Sequence, residues 1–384
     1  MLEQLHCPLP KPIASSEQVL LDLRALVVFL HQNQPLTETT VFPRGTIVPD
    51  GRLDLCKQSI GMTGAQMITD ALSHNTSIVS LLLGTNGIGD VGAQNVARLV
   101  RENNCLEVIY LGCNAISDRG VEAIARALRD NESVTSLWLK RNPIGVAGAV
   151  HLAAMLRQNR SVRSLDLVHT QLGDEGLAAI LETLISTNRT VERLYLGGNQ
   201  IGVRHAEQLS HLLRDNNRIT GLFLNVSCLE DEGAKILAGG LSENQTLTDL
   251  GLASNGIQGK GCDALIESIT HHQSLRSLDL GYSASTKVLG SKANYVGDQG
   301  AITIANYLKN NSSLRKLNLY KTGVAQQGQA ALTDAFECNH SLCELVLAAK
   351  QFPEIERLLE RNRHGNPSYG QAFSGQTLIR SVYR

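Results

Sequence analysis

The sequence predicts an α/β solenoid, a right-handed coil of strand–helix units with a parallel sheet on its concave face and helices on its convex face. Three observations predict it. A 28-residue pattern recurs along most of the chain, each copy joins a stretch of alternating residues to one with helical spacing, and a polar position recurs between the two. Periodicity of this length marks stacked supersecondary units. Each unit touches only its neighbours, so 384 residues need not divide into two or three globular cores.

Aligned on Asn86, the segment Ile78-x-x-Leu81-x-Leu83-x-x-Asn86-x-Ile88-Gly89 returns as Leu106, Ile109, Leu111, Asn114 and Ile116, then as Val134, Leu137, Leu139, Asn142 and Ile144. The frame continues through Leu165/Leu167, Leu194/Leu196, Leu222/Leu224, Leu250/Leu252, Leu278/Leu280, Leu317/Leu319 and Leu345/Leu347. A leading unit at Leu53/Leu55 makes eleven strand motifs. The first half of each unit alternates, as in Leu137-Trp138-Leu139, which is the period of a short strand. The second half places apolar residues at helical spacing, as in Val121, Ile124, Ala125 and Leu128. Neighbouring strands sit about 4.8 Å apart, whereas packed helices need roughly 8 to 10 Å. The helical side must be the longer one, so the array is expected to bend into a horseshoe.

A glycine near each helix start (Gly92, Gly120, Gly148, Gly176, Gly233, Gly261, Gly300, Gly328) permits close backbone approach or an unusual turn. The column Asn86, Asn114, Asn142, Asn199 and Asn255 marks where the strand turns away, and an amide there can bond the backbone of the neighbouring repeat. Gln58, Thr170, Ser227, Ser283 and Thr322 fill the same column with other polar groups, and Lys350 departs from it, which suggests the array is ending. Sequons beginning at Asn75, Asn131, Asn188, Asn244 and Asn311 recur at the repeat period and are read as helix-to-strand turns rather than glycan acceptors.

Residues 1–49 are assigned to an N-terminal cap, 50–362 to the repeat array and 363–384 to a C-terminal tail. A solenoid must cover its terminal apolar faces. The stripe Val19, Leu20, Leu23, Leu26, Val27 and Leu30 follows Ser15-Ser16 and reads as a capping helix. The stretch Thr40 to Gly51 is β-prone, with a turn at Asp50-Gly51. One repeat is too long, with Ala284 to Asn294 read as an eleven-residue insertion. Tyr282, Lys287, Lys292 and Tyr295 are its expected contact residues.

The unit, with Asn-x-Ile-Gly-x-x-Gly-Ala and Leu-Ala-x-x-Leu, resembles the ribonuclease-inhibitor-like class of leucine-rich repeats over about residues 50 to 362. That class includes ribonuclease inhibitor, the sensor portions of NOD-like receptors and the Ran GTPase-activating protein. The resemblance implies protein recognition through the concave face and rims.

Composition excludes several other classes. Lys plus Arg (35) nearly cancel Asp plus Glu (36), so no overall field gathers nucleic acid or membrane surfaces. No stretch approaches the roughly 18 to 20 apolar residues of a membrane span. Ala25 to Leu30 is too short and poorly flanked for a signal peptide. The eight cysteines (7, 56, 105, 113, 228, 262, 338, 343) form no CxxC pair or metal-ligand spacing, which fits a reducing compartment and a cytoplasmic protein. No catalytic motif stands out, and no cofactor or metal is expected. Asp174-Glu175 and Asp231-Glu232 begin helices, where acids favour the dipole. The adjacent residues of His271-His272 face different directions and do not suit a metal.

The residue between the two final leucines of each motif is expected to point out of the concave sheet. That column reads Asp54, Leu82, Tyr110, Trp138, Asp166, Tyr195, Phe223, Gly251, Asp279, Asn318 and Val346. Aromatic residues form 4% of the chain yet fill four of these eleven positions. Trp, Tyr and Arg are the usual carriers of binding energy, and exposed apolar patches mark contact surfaces. The expected hot spot is therefore Trp138, Tyr110, Tyr195 and Phe223, with Lys140, Arg141, Asp166 and His169 around it, and Tyr282 and Tyr320 further along. The competing reading is that these rings stack on one another and merely stiffen the sheet. The expected function is a monomeric scaffold, sensor or inhibitor that binds a protein on this face and its strand-to-helix rim. The alternative is a regulator of an enzyme, such as a GTPase activator.

Overall fold

A computed structural model of the chain describes residues 15–348 and 352–366. They fall into two compact units, one ending at Val191 and one beginning at Glu192. Each is an α/β solenoid of repeating units, one strand and one helix per repeat.

The first unit opens with α1 (Ser16–Gln32), whose N-cap Ser15 accepts a hydrogen bond from the Gln18 N–H. Val19, Leu23, Leu26 and Leu30 are its buried stripe. Strands β1 (Thr40–Val41), β2 (Thr46–Val48) and β3 (Arg52–Asp54) pair antiparallel in sequence. The turn into β3 passes through Gly51 at φ +83°, a conformation that favours glycine. From β3 the pairing becomes parallel through β4 (Ser80–Leu82), β5 (Val108–Tyr110), β6 (Ser136–Trp138) and β7 (Ser164–Asp166). The helices of this unit are α2 (Gly61–Leu72), α3 (Gly89–Glu102), α4 (Asp118–Leu128), α5 (Gly145–Gln158) and α6 (Gly173–Ser186).

The second unit pairs β8 (Arg193–Tyr195), β9 (Gly221–Phe223), β10 (Asp249–Gly251), β11 (Ser277–Asp279), β12 (Lys316–Leu319) and β13 (Glu344–Leu347), all parallel. Its helices are α7 (Val203–Asp215), α8 (Glu230–Glu243), α9 (Gly259–Ser268), α10 (Gly297–Asn310), α11 (Gln326–Cys338) and α12 (Pro353–Gly365). In each unit the register is set by the leucine column: Leu53, Leu81, Ile109, Leu137 and Leu165 pair in turn, as do Leu194, Leu222, Leu250, Leu278, Leu317 and Leu345. A one-residue slip would move each of these leucines to the opposite face, and all are buried.

The asparagine column explains why so short a strand turns away cleanly. Asn114 donates from Nδ2 to the carbonyls of Leu83 and Leu111, both at 2.9 Å, and its Oδ1 accepts the Asn86 N–H at 2.9 Å. Asn142 in turn accepts the N–H groups of Asn114 (2.9 Å) and Ile116 (3.1 Å). Each amide thus serves two repeats at once. The residue before the ladder position adopts left-handed φ without being glycine, as at Thr85 (59°), Arg141 (57°) and His169 (54°) in the first unit and Val226 (59°) and Ser254 (55°) in the second. Such backbone is disfavoured locally and persists because the surrounding bonds over-determine it.

A second amide column closes the other end of the unit. Asn103 donates to Leu72 O (2.7 Å) and Asn75 O (2.8 Å) while its Oδ1 accepts from Cys105 and Leu106. Asn75 bonds Leu30 O at 2.8 Å and so ties the array to α1. The sequon asparagines sit on these turns, and the Asn131, Asn188 and Asn244 amides each donate to a carbonyl of the preceding repeat. His272 takes the role once, with Nδ1 accepting from Ser274 and Leu275. An acidic residue early in one helix caps the next. Asp90 accepts the N–H of Ser117 and Gly120, Asp231 those of Gln258 and Gly261, and Asp298 those of Ala325 and Gly328. The glycine of each helix start serves close packing: a Cβ on Gly92 would lie 2.4 Å from Ile88 Cβ.

Two expectations change. Ser283 does not fill the ladder; Asn294 does, donating to Leu252 O and Leu280 O (both 2.8 Å) and accepting from Asn255 and Ile257. The insertion therefore comprises 283–293, before the ladder residue rather than after it. An amide two turns further on satisfies four backbone groups that a serine hydroxyl cannot. The departure at Lys350 and the tail beyond residue 366 lie outside the described residues.

Replacing Asn114 with alanine should strand the buried Asn86 N–H and remove one of the two amide donors at each of Leu83 O and Leu111 O, lowering stability by about 3 kcal/mol. Asn114→Asp, which can no longer donate, should be at least as damaging. Urea denaturation checks both, and loss of less than about 1 kcal/mol in each would remove the ladder from its structural role.

Candidate functional site

The first unit places Tyr110 and Trp138 side by side as paired residues of β5 and β6. Tyr110 is not on the surface: it is fully buried, in a cluster with Cys56, Leu82 and Val108, against which the half-buried Trp138 packs. The reason lies two residues downstream of each strand. A Cβ at Gly84 would stand 2.3 Å from the Tyr110 ring, and one at Gly112 would stand 3.0 Å from its hydroxyl. Two glycines open a trough along the sheet, and the tyrosine lies in it. The Lys140 stem crosses Gly112, and its Nζ sits 5.5 Å from the Tyr110 ring centroid.

Asp166 is likewise buried rather than part of an exposed polar surround. Its Oδ1 accepts the Val168 N–H at 2.8 Å, closing the turn at the end of β7. Asp54, Asp279 and Asn318 occupy the same column and accept from Cys56, Gly281 and Tyr320. An acid or amide in that column is thus a turn residue. Burial raises the Asp166 carboxyl to about 6, with Lys140 pulling it the other way. Burial also holds Lys140 below its ordinary value, and Asp166 opposes that while Arg141 adds to it. His169 is lowered by burial and by the Arg141 charge. Lys140, Arg141 and His169 are all half-buried at the strand-to-helix turns.

The second unit carries a separate cluster on β8, β9 and β10. Tyr195 and Phe223 are paired across adjacent strands and stack with centroids 4.3 Å apart and planes 6° from parallel. The Arg193 guanidinium lies 5.0 Å from the Phe223 ring centroid, donates from Nε to the Tyr195 hydroxyl (3.1 Å) and pairs with Asp249 (3.1 Å). Burial works against the Arg193 charge, but Tyr195 and Asp249 outweigh it and push the group above its ordinary value. Glycines again make the room: a Cβ at Gly221 would meet the Phe223 ring at 3.0 Å and Arg193 Cζ at 3.2 Å. Both rings remain partly exposed on the sheet face turned away from the helices.

Further along, Lys321 Nζ stands 5.2 Å from both the Tyr282 and the Tyr320 ring centroids. The insertion is anchored by Thr286 and Ser283, whose Oγ1 and N–H bond the Ser254 hydroxyl, and by Lys292, which pairs with Glu230 at 2.6 Å. Lys287 is exposed, and Tyr295 is 61% exposed beside Gly323. Arg193 and Asp249 are the members that sequence reasoning did not assemble. The available signal was the first residue of each strand, which shares a face with the third. Among the described residues, no group of three or more His, Cys, Asp or Glu is placed to hold a metal ion, and no helix is long and apolar enough to cross a membrane.

The Asp166 geometry generates a pH test. A carboxyl whose pKa burial raises to about 6, above its ordinary value of 3.8, destabilises the fold once ionised, so the penalty is absent below pH 4 and complete above pH 6. Asp166→Asn keeps an oxygen for Val168 but cannot ionise. It should be more stable than the parent by roughly 1 to 3 kcal/mol at pH 8, with the gap closing by pH 4. Urea denaturation at pH 4, 6 and 8 reads this directly, and a gap independent of pH would contradict it.

Five stretches, residues 74–97, 102–125, 158–181, 187–204 and 243–265, match the family model described as Leucine Rich repeat. No match to a curated protein was found. Among solved structures, the chain is similar to leiomodin-1 actin-binding site 2, at 16% identity over 49% of this chain and 90% of that one, with a TM-score of 0.33. It is similar to the tropomodulin C-terminal domain of Caenorhabditis elegans at 16% identity, over 42% and 94% of the two chains, with a TM-score of 0.33. For a chain of the yeast Rad7 and Elc1 complex the values are 16% identity, 77% and 79% coverage, and a TM-score of 0.43. The family matches fall on the strand–turn–helix units whose leucines, asparagines and glycines have just been described, and the chain carries leucine-rich repeats whose 28-residue unit is similar to that of the ribonuclease-inhibitor-like class.

Proposed function

We propose that the chain is a protein-binding scaffold, sensor or inhibitor, acting as a cytoplasmic monomer, and that it takes up a protein partner on the helix-free sheet faces and their strand-to-helix turns. The observation that carries this reading is the Tyr195–Phe223 stack with Arg193 over it, half-exposed on three-residue strands. Residues of these types, ordered in advance and only partly covered, are the usual centres of interface binding energy. Stiffening alone does not account for them, because the ends of β8 and β9 are already fixed by the Asn199 and Asn255 amides. In the first unit the half-buried Trp138 plays the corresponding part, with Lys140, Arg141 and His169 beside it. Tyr110 and Asp166 lie beneath and support that surface rather than touch a partner. Tyr282 and Tyr320 extend the surface of the second unit.

Affinity capture with the immobilised chain, read by mass spectrometry, tests the reading. Proteins retained by the parent should bind Tyr195→Ala/Phe223→Ala at least about thirtyfold more weakly, a loss of roughly 2 kcal/mol. Val150→Ala, on the exposed side of α5, should retain them fully. Undiminished capture by the double variant would sink the proposal, provided that its thermal midpoint confirms it is folded.

A further inference from the structure

In the second unit, the carbonyl just before each strand accepts the N–H groups that lead into the next one. Thr248 O takes those of Arg276 and Ser277, and Arg276 O takes those of Arg315 and Lys316. Arg276 and Arg315 therefore stand opposite each other, just before β11 and β12. Thr220 and Thr248 hold the same place before β9 and β10, so the fold does not call for arginine there. Both guanidiniums meet on one acceptor: Nη1 of Arg276 donates to Ser313 O at 3.3 Å, and Nη1 of Arg315 donates to the same oxygen at 3.1 Å. Their other bonds also run from Nη1 to backbone carbonyls, from Arg276 to Gln273 O (2.8 Å) and from Arg315 to Ser312 O (2.8 Å) and Leu314 O (3.4 Å). The Nε–Nη2 edge of each half-buried guanidinium bonds no group among the described residues, and no carboxylate among them pairs with either arginine. Neighbouring cations are matched: Lys316 pairs with Glu344 at 3.3 Å and Arg363 with Glu356 at 2.9 Å.

We propose that Arg276 and Arg315 form an oxyanion site on the helix-to-strand edge of the second unit, and that it takes the phosphoryl group of a phosphorylated serine in the protein partner. This inference rests on the protein-binding reading above. Like charges set directly opposite each other destabilise a sheet, and burial, then the Arg315 charge, hold Arg276 below its ordinary value. Tying the turn needs only one such group: Arg189 alone bonds the Leu184, Ile185 and Asn188 carbonyls of its own turn. A phosphate monoester brings nearly two negative charges and three acceptor oxygens. That matches two cations, each with the side of its planar fork still open. A carboxylate brings one charge and two oxygens. Clusters of arginine are a recurring means of holding phosphorylated segments. Strands β11 and β12 are three and four residues long, so a partner on the sheet face reaches this edge within about 10 to 13 Å. A nucleic acid fits less well, because its affinity comes from a run of phosphate contacts that two side chains do not supply.

Fluorescence anisotropy with the full chain tests this, using a labelled heptapeptide in which phosphoserine sits among alanines and glycines. Binding should be saturable and competed by inorganic phosphate. It should be about tenfold weaker or more for peptides with serine or glutamate in that place. Arg276→Gln/Arg315→Gln should weaken it by about tenfold or more, with the thermal midpoint confirming folding. Arg276→Lys/Arg315→Lys keeps both charges but not the forks and should fall between. Absence of saturable binding, equal affinity for the serine or glutamate peptide, equal affinity in the glutamine variant, or tighter binding of AMP than of the phosphopeptide would each overturn the inference. The capture experiment separates the two readings. Proteins lost by Tyr195→Ala/Phe223→Ala, but held by Arg276→Gln/Arg315→Gln and unaffected by phosphatase treatment, would remove the oxyanion site and leave the scaffold standing. A chain that binds the phosphopeptide yet retains no protein would sink the scaffold reading and uphold the site.

Discussion

The buried asparagine amide at the end of each strand is the constraint on which the rest depends. An amide carries two donors and an acceptor with two lone pairs, and the turn leaves unpaired backbone groups of both kinds. Asn114 and Asn294 match that demand group for group, joining each repeat to its neighbour. Backbone that would be disfavoured in isolation, such as the left-handed residues just before the ladder, is held in place by these bonds. Where threonine substitutes, as at Thr170 and Thr322, one hydroxyl keeps the bond to the carbonyl of its own repeat.

Once the strand ends are fixed, the sheet faces are free to hold side chains that the fold does not need. What happens to an aromatic there is decided by glycines nearby rather than by its own position in the repeat. Gly84 and Gly112 let Tyr110 sink until nothing of it is exposed, and Trp138 then rests on the resulting floor. Gly221 makes space for Phe223 and Arg193 together, so the second cluster forms as a stack under a guanidinium instead. The same column therefore yields a buried ring, a half-covered indole and a stacked pair.

Fold and register were readable because they rest on periods. Leucines two apart and an amide at a fixed offset leave few other arrangements, and the eleven motifs correspond to β3 through β13. The candidate surface was readable only in part. Alternation identified which residues leave the helix-facing side, but Tyr110 and Asp166 are covered by neighbours whose reach a one-dimensional pattern does not encode. For Asp166 a signal did exist, since Asp54, Asp279 and Asn318 repeat the same turn bond. Arg193 and Asp249, 56 residues apart, meet through a side-chain pairing that no local spacing announces. The insertion misled by one register step: Ser283 stands at the expected distance from Leu280, yet the ladder waits for Asn294.

The central claim is that the half-exposed rings are covered by a partner and not merely by each other. Oxidative footprinting of the chain, free and with a captured partner bound, measures that most directly. Modification of Trp138, Tyr195 and Phe223 should fall on binding, while the exposed Val91 and Val150 on the helices stay unchanged. Protection confined to the helices, with the three rings as reactive as in the free chain, would contradict the account.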